Sequence, residues 1–322
     1  MSVKKILLIG LGEIGSRHLQ ALTKGLDNYE LHCVDPSQAS IEFSKSRLLP
    51  LSPDHYSGLN FYTSIDSLPA QLDLAIIATS SNVRLSVLEQ LSKTVSIKNL
   101  IFEKVLFQKV SHLIKAKKIL DDRKISAWVN CPRRHWPIYQ EVRQLLLGKK
   151  GINFRLCGED WGLACNSIHY MDIFGWISSS QLKSIDISEL DQKILKSKRQ
   201  GFVEFTGTIN ASFSNHNKMS LTSTQIRQDL LVEIESEQLK IKINESTGVL
   251  EVISDGNNFS KNFLLPYQSD LTNLYVDQIL ESQEVSLPDY SYSSTQHSIM
   301  LKAFIDHLSS INKRNIEHCP IT

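Results

Sequence analysis

The chain has 322 residues, more than one compact core usually accommodates, so two domains are expected. Its 41% hydrophobic and 21% charged residues are ordinary for a soluble globular enzyme, and its formal net charge of +1 at pH 7 gives no general attraction to nucleic acid. No apolar run approaches the roughly 20 residues of a membrane helix, and the apolar stretch near the N-terminus is too short for a secretory signal. We therefore expect a cytoplasmic protein that binds neither nucleic acid nor membranes.

The first part of the chain alternates apolar strand-like runs with amphipathic segments. Strands are predicted at residues 3–9, 31–34, 74–78, 100–102 and 125–129, and helices at 14–24, 84–91 and 110–120. Near-continuous apolar strands that alternate with helices are typical of a parallel sheet covered on both faces.

The character of the sequence changes after this region. Helices are predicted at residues 134–147 and 166–177, and between about 185 and 253 the apolar period shortens to two, with turns at 214–218 and 245–248. Helices at 271–280 and 295–311 close the chain. The pattern predicts a mainly antiparallel sheet with one face in solvent or used in association.

The five cysteines are scattered at Cys33, Cys131, Cys157, Cys165 and Cys319. They show no CxxC pair and no metal-type spacing with histidine, so free thiols in a reducing compartment and no metal site are expected.

A glycine-rich turn follows the first predicted strand. Gly10-Leu11-Gly12-Glu13-Ile14-Gly15 fits GxGxxG and leads directly into a helix, which is the context that a dinucleotide site requires. Gly10 permits the tight turn, Gly12 lets the backbone approach a pyrophosphate, and Gly15 allows close packing of helix on strand. The pyrophosphate would lie on the free N–H groups of that helix.

Asp35 ends the second strand, 20 positions after Gly15. A carboxylate there accepts hydrogen bonds from the adenosine ribose and repels a 2′-phosphate, and no arginine near it in the sequence argues the reverse. The cofactor is therefore predicted to be NAD in preference to NADP.

Motifs in both halves make the chain resemble the Gfo/Idh/MocA oxidoreductases. Gly10–Leu19 resembles the opening turn and helix of that family, Ala75–Ser81 its fourth strand and loop, and Phe102–Val105 its Glu-Lys-Pro element. Arg134–Pro137 and the helix with His169 and Asp172 resemble its Arg-x-x-Pro and His-x-x-Asp segments. The resemblance implies an α/β protein with an N-terminal Rossmann domain, a doubly wound parallel sheet (1–127), and a C-terminal α/β domain with a large, mainly antiparallel open sheet (128–322).

The resemblance also implies roles for individual residues. Lys104 would stabilise the reacting oxygen and His169 would assist proton transfer. The substrate would contact Asp172, Arg134, Asn166 and Trp161. The cofactor would contact Gly10, Gly12, Glu13, Ile14, Gly15, Asp35, Thr79, Ser80, Asn82 and Glu103.

Some positions depart from the family pattern. Cys165 stands where an aspartate is frequent and Ser167 where a glycine is, and Arg84 stands where a histidine is common. Val105 replaces the proline after the lysine, which makes the usual cis peptide doubtful.

Other polar residues have two readings. Arg133, Arg134 and His135, with Trp128 and Trp136, could bind an anionic group or form a packing cluster. His18 is attributed to packing or capping, and the isolated histidines His112, His216, His297, His307 and His318 are expected at the surface.

The resemblance, with the glycine turn and Asp35, implies hydride transfer between NAD and a secondary alcohol or ketone of a sugar, nucleotide sugar or cyclitol, and a setting in surface polysaccharide synthesis is preferred. The resemblance and the exposed sheet face together indicate a homodimer or homotetramer. A nucleotide-binding regulator or scaffold without catalysis, and an imine or biliverdin-type reductase, stay open as alternatives.

Overall fold

The computed structural model describes residues 3–26, 28–48, 58–254, 256 and 258–322. The chain forms two compact units. The first comprises Met1–Phe107, Ser111–Pro132 and Pro266–Ser293, and the second comprises Gln108–Val110, Arg133–Leu265 and Ser294–Thr322. The sequence predicted two consecutive segments, 1–127 and 128–322, whereas in the structure the chain returns to the first unit near its end.

The strands are β1 (Lys4–Ile9), β2 (Tyr29–Val34), β3 (Leu59–Tyr62), β4 (Gln71–Ile77), β5 (Ser96–Phe102), β6 (Ser126–Val129), β7 (Asn153–Glu159), β8 (Leu182–Leu190), β9 (Leu195–Lys196), β10 (Val203–Glu204), β11 (Gly207–Phe213), β12 (Lys218–Thr224), β13 (Leu231–Ser236), β14 (Leu239–Asn244), β15 (Val249–Ser254) and β16 (Phe259–Asn262). The α-helices are α1 (Glu13–Leu22), α2 (Gln38–Ser46), α3 (Arg84–Thr94), α4 (Val110–Arg123), α5 (Pro137–Leu145), α6 (Leu163–Ile177), α7 (Thr272–Glu281) and α8 (Tyr290–Asn312).

The first unit is built on a six-stranded parallel sheet in the order β3-β2-β1-β4-β5-β6. Its central strands are apolar and buried, as a sheet covered on both faces requires. The predicted doubly wound parallel sheet is confirmed. The prediction omitted α2 and β3. The sequence of α2, which begins after the cap Ser37, is largely polar, and β3 is a short strand at the edge of the sheet.

The returning segment closes the other edge of this sheet. The N–H of Val129 donates to the carbonyl of Pro288 at 3.0 Å, and Trp128 pairs with Asp289 in an antiparallel bridge. The segment therefore continues the hydrogen-bonding beyond β6.

The second unit is built on an eight-stranded sheet in the order β16-β15-β14-β13-β7-β12-β11-β8. The pairing of β7 with β12 is parallel and the other described pairings in this sheet are antiparallel, which confirms the prediction of a mainly antiparallel sheet. Buried and more exposed residues alternate along β12 and β14, so one face forms the core. On that face Phe174 of α6 packs against Phe154 and Phe213, with ring centroids 5.1 and 4.8 Å apart.

Two of the histidines that were expected at the surface are buried. His297 is fully buried and His307 is 5% exposed, both on α8. The ring of His307 meets the Phe205 ring edge-on, and its Nε2 atom lies 3.2 Å from the carbonyl of Asp191. The expectation failed because α8 is packed around more of its circumference than its sequence pattern indicates. Among the described helices, none combines the length and apolarity needed to cross a membrane.

Candidate active site

The carboxyl ends of the parallel strands are aligned in the first unit. Ile9 pairs with both Val34 and Ile77, and the same row continues through Phe102 and Val129. The turn after β1 and the loops after β2, β4 and β5 therefore leave the sheet along one edge. In open α/β sheets this is the edge at which ligands bind.

The three glycines of the turn after β1 have different environments. Gly10 has φ of +92°, and a Cβ atom there would lie 2.8 Å from the Thr79 backbone nitrogen. A Cβ on Gly15 would lie 1.8 Å from the Gly10 oxygen, whereas a Cβ on Gly12 would meet nothing within 4 Å. Gly12 is the N-cap of α1, and among the described residues no side chain caps this end. Gly10 and Gly15 are thus needed for the fold, and the open side at Gly12 fits a pyrophosphate on the helix N-terminus.

The two remaining predicted contacts in the turn are Glu13, which is exposed, and Ile14, which is half-buried. Arg47, at the end of α2, bonds the Glu13 carboxylate at 2.5 Å and the Ser16 hydroxyl at 2.6 Å. Its guanidinium lies over the Phe43 ring, 4.3 Å from the centroid. An arginine therefore does lie beside the turn, and it was not predicted because α2 was not predicted.

Asp35 links the glycine turn to the end of β2. The N–H of Leu11 donates to its Oδ2 atom at 2.7 Å and the N–H of Ser37 donates to its Oδ1 atom at 2.9 Å. Each carboxylate oxygen has a second acceptor site, so the half-buried group can hold the turn and still accept ribose hydroxyls.

The loop after β4 is joined to the loop after β5 by Arg84. This buried side chain donates to the carbonyls of Thr79, Val105 and Leu106, the last at 3.0 Å. Sequence reasoning treated Arg84 only as a departure from a family pattern. The other predicted cofactor contacts of this loop are Ser80, which is half-buried, and Asn82, which is exposed.

The peptide bond between Lys104 and Val105 is cis. The cis bond that valine in place of proline made doubtful is therefore present. Arg84 donates hydrogen bonds to the carbonyls of Val105 and Leu106. These hydrogen bonds help to fix the backbone at a corner where a proline ring was expected to be necessary.

Glu103 is 4% exposed and its carboxylate is surrounded by protein donors. His18 Nε2 lies 2.9 Å from Oε1, Asn130 donates to the same oxygen, and the N–H of Lys104 donates to Oε2 at 3.1 Å. Burial raises the pKa of this carboxyl, but the hydrogen bonds and charges of its neighbours outweigh burial and hold the pKa below its usual range. The predicted cofactor contact is thus a buried group beside Lys104, whose side chain is half-buried. His18 and Asn130 were not predicted as its partners.

In the second unit, Cys165, His169 and Asp172 share α6 but differ in burial. Cys165 and His169 are half-buried, whereas Asp172 is fully buried and paired with Arg134. Arg134 Nε donates to Oδ2 at 2.9 Å and Nη2 donates to Oδ1 at 2.6 Å. The two residues predicted to contact substrate therefore contact each other.

Glu204 places a carboxylate at the start of α6. Its Oε2 atom accepts the N–H of Ala164 at 2.8 Å, and the Cys165 thiol donates to its Oε1 atom. Sequence reasoning missed Glu204 because it lies on the two-residue strand β10, 39 positions from Cys165. The predicted substrate residues Trp161 and Asn166 are joined nearby, since Asn166 Nδ2 donates to the Trp161 carbonyl at 2.7 Å.

Arg133 belongs to a second buried ion pair. It donates to Glu245 through Nε at 3.2 Å and Nη2 at 2.9 Å, and its guanidinium lies over the rings of Trp136 and Tyr170. The hydroxyls of Tyr139 and Tyr170 also donate to Glu245, at 2.6 and 2.9 Å. Burial alone raises the pKa of Glu245, yet Arg133 and the hydrogen bonds keep it below its usual range. This favours the packing reading of the cluster over anion binding.

Residues 4–131 match the GFO_IDH_MocA family, described as "Oxidoreductase family, NAD-binding Rossmann fold". This segment belongs to the Gfo/Idh/MocA family. The resemblance drawn from the sequence motifs is thereby confirmed, and the family description gives this segment an NAD-binding Rossmann fold. The comparison with curated proteins found no match.

Several solved structures share the fold over nearly the whole chain. UDP-N-acetylglucosamine 3-dehydrogenase GnnA from Acidithiobacillus ferrooxidans is 14% identical, with a TM-score of 0.70 over 94% of this chain and 97% of that chain. An oxidoreductase from Agrobacterium radiobacter, in complex with NAD+, L-tartaric acid and magnesium, is 16% identical, with a TM-score of 0.75 over 98% of each chain. A super-repressor mutant of Gal80p from Saccharomyces cerevisiae is 14% identical, with a TM-score of 0.72 over 96% of this chain and 97% of that chain. At these identities the likeness shows that the chain shares their fold.

Proposed function

We propose that the protein is an NAD-dependent oxidoreductase that transfers hydride between nicotinamide and a secondary alcohol or ketone of a sugar, nucleotide sugar or cyclitol. The observation that carries the proposal is the alignment of strand ends in the first unit. It brings the open glycine turn, Asp35 and the Glu103-Lys104 pair to the same edge of one sheet. This edge combines groups for phosphate, for ribose and for a reacting oxygen.

The cofactor residues each have a separate task in this proposal. The backbone of Gly12 to Gly15 holds the pyrophosphate, and Asp35 accepts the hydroxyls of the adenosine ribose and disfavours a 2′-phosphate. The loop after β4 contacts the cofactor through Thr79, Ser80 and Asn82. The nicotinamide supplies the carbon that accepts or donates the hydride.

Lys104 acts on the substrate oxygen. Its ammonium hydrogen-bonds the hydroxyl and stabilises the negative charge that develops when hydride leaves. His169 assists the transfer of the hydroxyl proton, since imidazole titrates near neutral pH. Trp161 and Asn166 bind the substrate, whereas Asp172 and Arg134 contribute as a pair that fixes α6.

The names of similar structures support the substrate class by analogy of fold. GnnA is a dehydrogenase of a nucleotide sugar, and the Agrobacterium radiobacter oxidoreductase was solved with NAD+ and a hydroxy acid. The setting in surface polysaccharide synthesis is proposed from the resemblance of the opening turn and helix, Gly10–Leu19.

A second candidate function is a nucleotide-binding regulator without catalysis. It is favoured by the likeness in fold to Gal80p, whose relative from Kluyveromyces lactis is described as a transcriptional regulator. Both candidate functions require a nucleotide to bind at the carboxyl ends of the parallel strands. Only the dehydrogenase requires Lys104 to act on a substrate.

The test combines binding and turnover. NADH and NADPH are titrated by fluorescence, and sugars, nucleotide sugars and cyclitols are screened for a change in nicotinamide absorbance, on wild type, Lys104→Ala and the exposed control Lys93→Ala. If the protein is a dehydrogenase, NADH should bind to all three proteins, and only Lys104→Ala should lose turnover. Binding without turnover of any substrate favours the regulator, and absence of binding contradicts both.

We also propose that the chain forms a homodimer or homotetramer through the solvent face of the second sheet. Side chains such as Arg155, Asn210 and Lys218 lie on this broad face of β7, β11 and β12. Sedimentation should give a dimer or tetramer mass for wild type and a smaller mass when Ser220 on this face is changed to Arg; a monomeric wild type contradicts the proposal.

A further inference from the structure

A buried polar cluster surrounds Glu103 in the first unit. It joins α1, the residues after β5 and β6, and the segment that returns near the end of the chain. Its members are His18, Glu103, Asn130, Gln268, Thr272 and Tyr275. The hydrogen bonds among these side chains fix the positions of the members of the cluster.

His18 lies at the centre of the cluster and is fully buried. Its Nε2 atom lies 2.9 Å from Glu103 Oε1 and its Nδ1 atom lies 2.8 Å from Thr272 Oγ1. Because the neighbours of Glu103 favour its ionised form, the Nε2–H group is the donor to that carboxylate. Gln268 donates to the Thr272 hydroxyl at 2.9 Å, so the other side of the ring is held as well.

The Glu103 carboxylate connects His18 to the backbone of Lys104. One oxygen of Glu103 meets His18, and the other accepts the N–H of Lys104 at 3.1 Å. His18 is three positions after Gly15 on the helix that begins at the glycine turn. Two hydrogen bonds, through the side chains of His18 and Glu103, therefore connect α1 to the backbone of Lys104.

We propose that His18 is a positioning residue: by holding Glu103 through Nε2 and Thr272 through Nδ1, it sets the backbone at Lys104 and hence the place of the ammonium relative to cofactor and substrate. This inference rests on the proposed function, because it assigns Lys104 a role at the reacting oxygen. The interpretation of His18 from the sequence, as a packing or capping residue, differs from this proposal because it requires no effect on Lys104.

The experiment compares two substitutions that each keep one half of the ring's contacts. In His18→Gln the amide nitrogen reaches the place of Nε2 and can still donate to Glu103, whereas in His18→Asn it reaches only the place of Nδ1. Both remove the ring, so a merely structural role predicts similar losses of Tm and an unchanged kcat in both folded variants. The positioning role predicts that kcat falls about tenfold or more in His18→Asn and stays near wild type in His18→Gln, with NADH affinity kept in both.

A second readout does not depend on turnover. The lysines are reductively methylated with 13C-formaldehyde, and the Lys104 signal is assigned by its loss in Lys104→Arg. The signal should shift in His18→Asn and not in His18→Gln, while the Lys93 signal stays fixed in both. If wild type turns over no substrate, the dehydrogenase proposal fails but the Lys104 signal still decides the position of that side chain.

The opposite results overturn the inference. An unshifted Lys104 signal in folded His18→Asn, or equal kcat in the two variants, assigns His18 to packing alone. If His18→Asn does not fold, His18→Leu takes its place, since it also removes the Nε2 donor to Glu103; an unshifted Lys104 signal there also overturns the inference.

Discussion

Arg134 and Asp172 form a two-armed ion pair whose carboxylate is fully buried, with nitrogen–oxygen distances of 2.9 and 2.6 Å. The pair joins the short turn before α5 to the middle of α6. A buried carboxylate requires such a partner, because the unpaired charge would lose its hydration without compensation.

Breaking this pair should be costly, and removing both charges should be less so. Arg134→Met or Asp172→Leu alone leaves one charge buried and should lower the free energy of unfolding by about 3 to 5 kcal/mol. The double variant should be clearly more stable than the sum of the two losses predicts. Urea unfolding of the four proteins measures the coupling; strictly additive losses would show that the two side chains do not act together.

Gly12 and Gly15 should respond differently to the same added methyl group. Gly12 has φ of −71°, and its Cβ would meet nothing within 4 Å, so Gly12→Ala should keep Tm while weakening NADH binding by about tenfold. Gly15→Ala should lower Tm, because its Cβ would lie 1.8 Å from the Gly10 oxygen. Fluorescence titration and thermal unfolding of both variants check this. Equal NADH affinity in wild type and folded Gly12→Ala would place the pyrophosphate elsewhere.

His135 should make the protein less stable in acid. Burial, with a contribution from Arg134, lowers its pKa from 6.5 to about 4. The unfolded chain therefore binds a proton at a higher pH than the folded chain, so the stabilisation is complete above pH 6.5 and is lost as the pH falls towards 4. The loss should be about 2 to 3 kcal/mol. Relative to His135→Gln, wild type should lose this amount between neutral pH and the acid end of that window in denaturant unfolding; parallel pH curves would contradict the assignment.

Asp35 should determine the choice between NADH and NADPH. Asp35→Ser removes the carboxylate that would accept ribose hydroxyls and repel a 2′-phosphate, so the preference for NADH should fall about tenfold or more. Glu42→Ala, an exposed carboxylate on α2, is the matched control and should leave the preference unchanged. Both affinities are measured by fluorescence titration. An unchanged preference in Asp35→Ser would transfer the selectivity to another residue, with Arg47 beside the turn the first to be tested.

The sequence predicted the parts of the site that depend on local order. The glycine turn, Asp35 and Lys104 each follow a strand, and the rule that parallel strands end at one edge is enough to bring them together. It did not predict partners from distant parts of the chain. Glu204 meets Cys165, Glu245 meets Arg133 and Asp172 meets Arg134, and none of these pairs has a local sequence signal.

The same distinction applies to the fold. Strongly periodic segments such as α1 and α4 were predicted near their observed bounds, because their apolar spacing reflects one buried face. The helix α2 and the edge strand β3 were omitted since their burial comes from neighbours rather than from their own pattern. The geometry of the Lys104–Val105 bond was not predicted either. Its surroundings include Arg84, which lies 20 positions away from Lys104 in the sequence and has no local signal there.

The return of Pro266–Ser293 to the first unit has a consequence for synthesis on the ribosome. A nascent chain that has released residues 1–132 contains β1 to β6 of the parallel sheet but lacks Gln268 and Thr272, which the cluster around Glu103 needs. The nucleotide-binding unit can therefore reach its final packing only after most of the second unit has emerged. Such a protein should mature as one cooperative event late in translation, rather than domain by domain from its N-terminus.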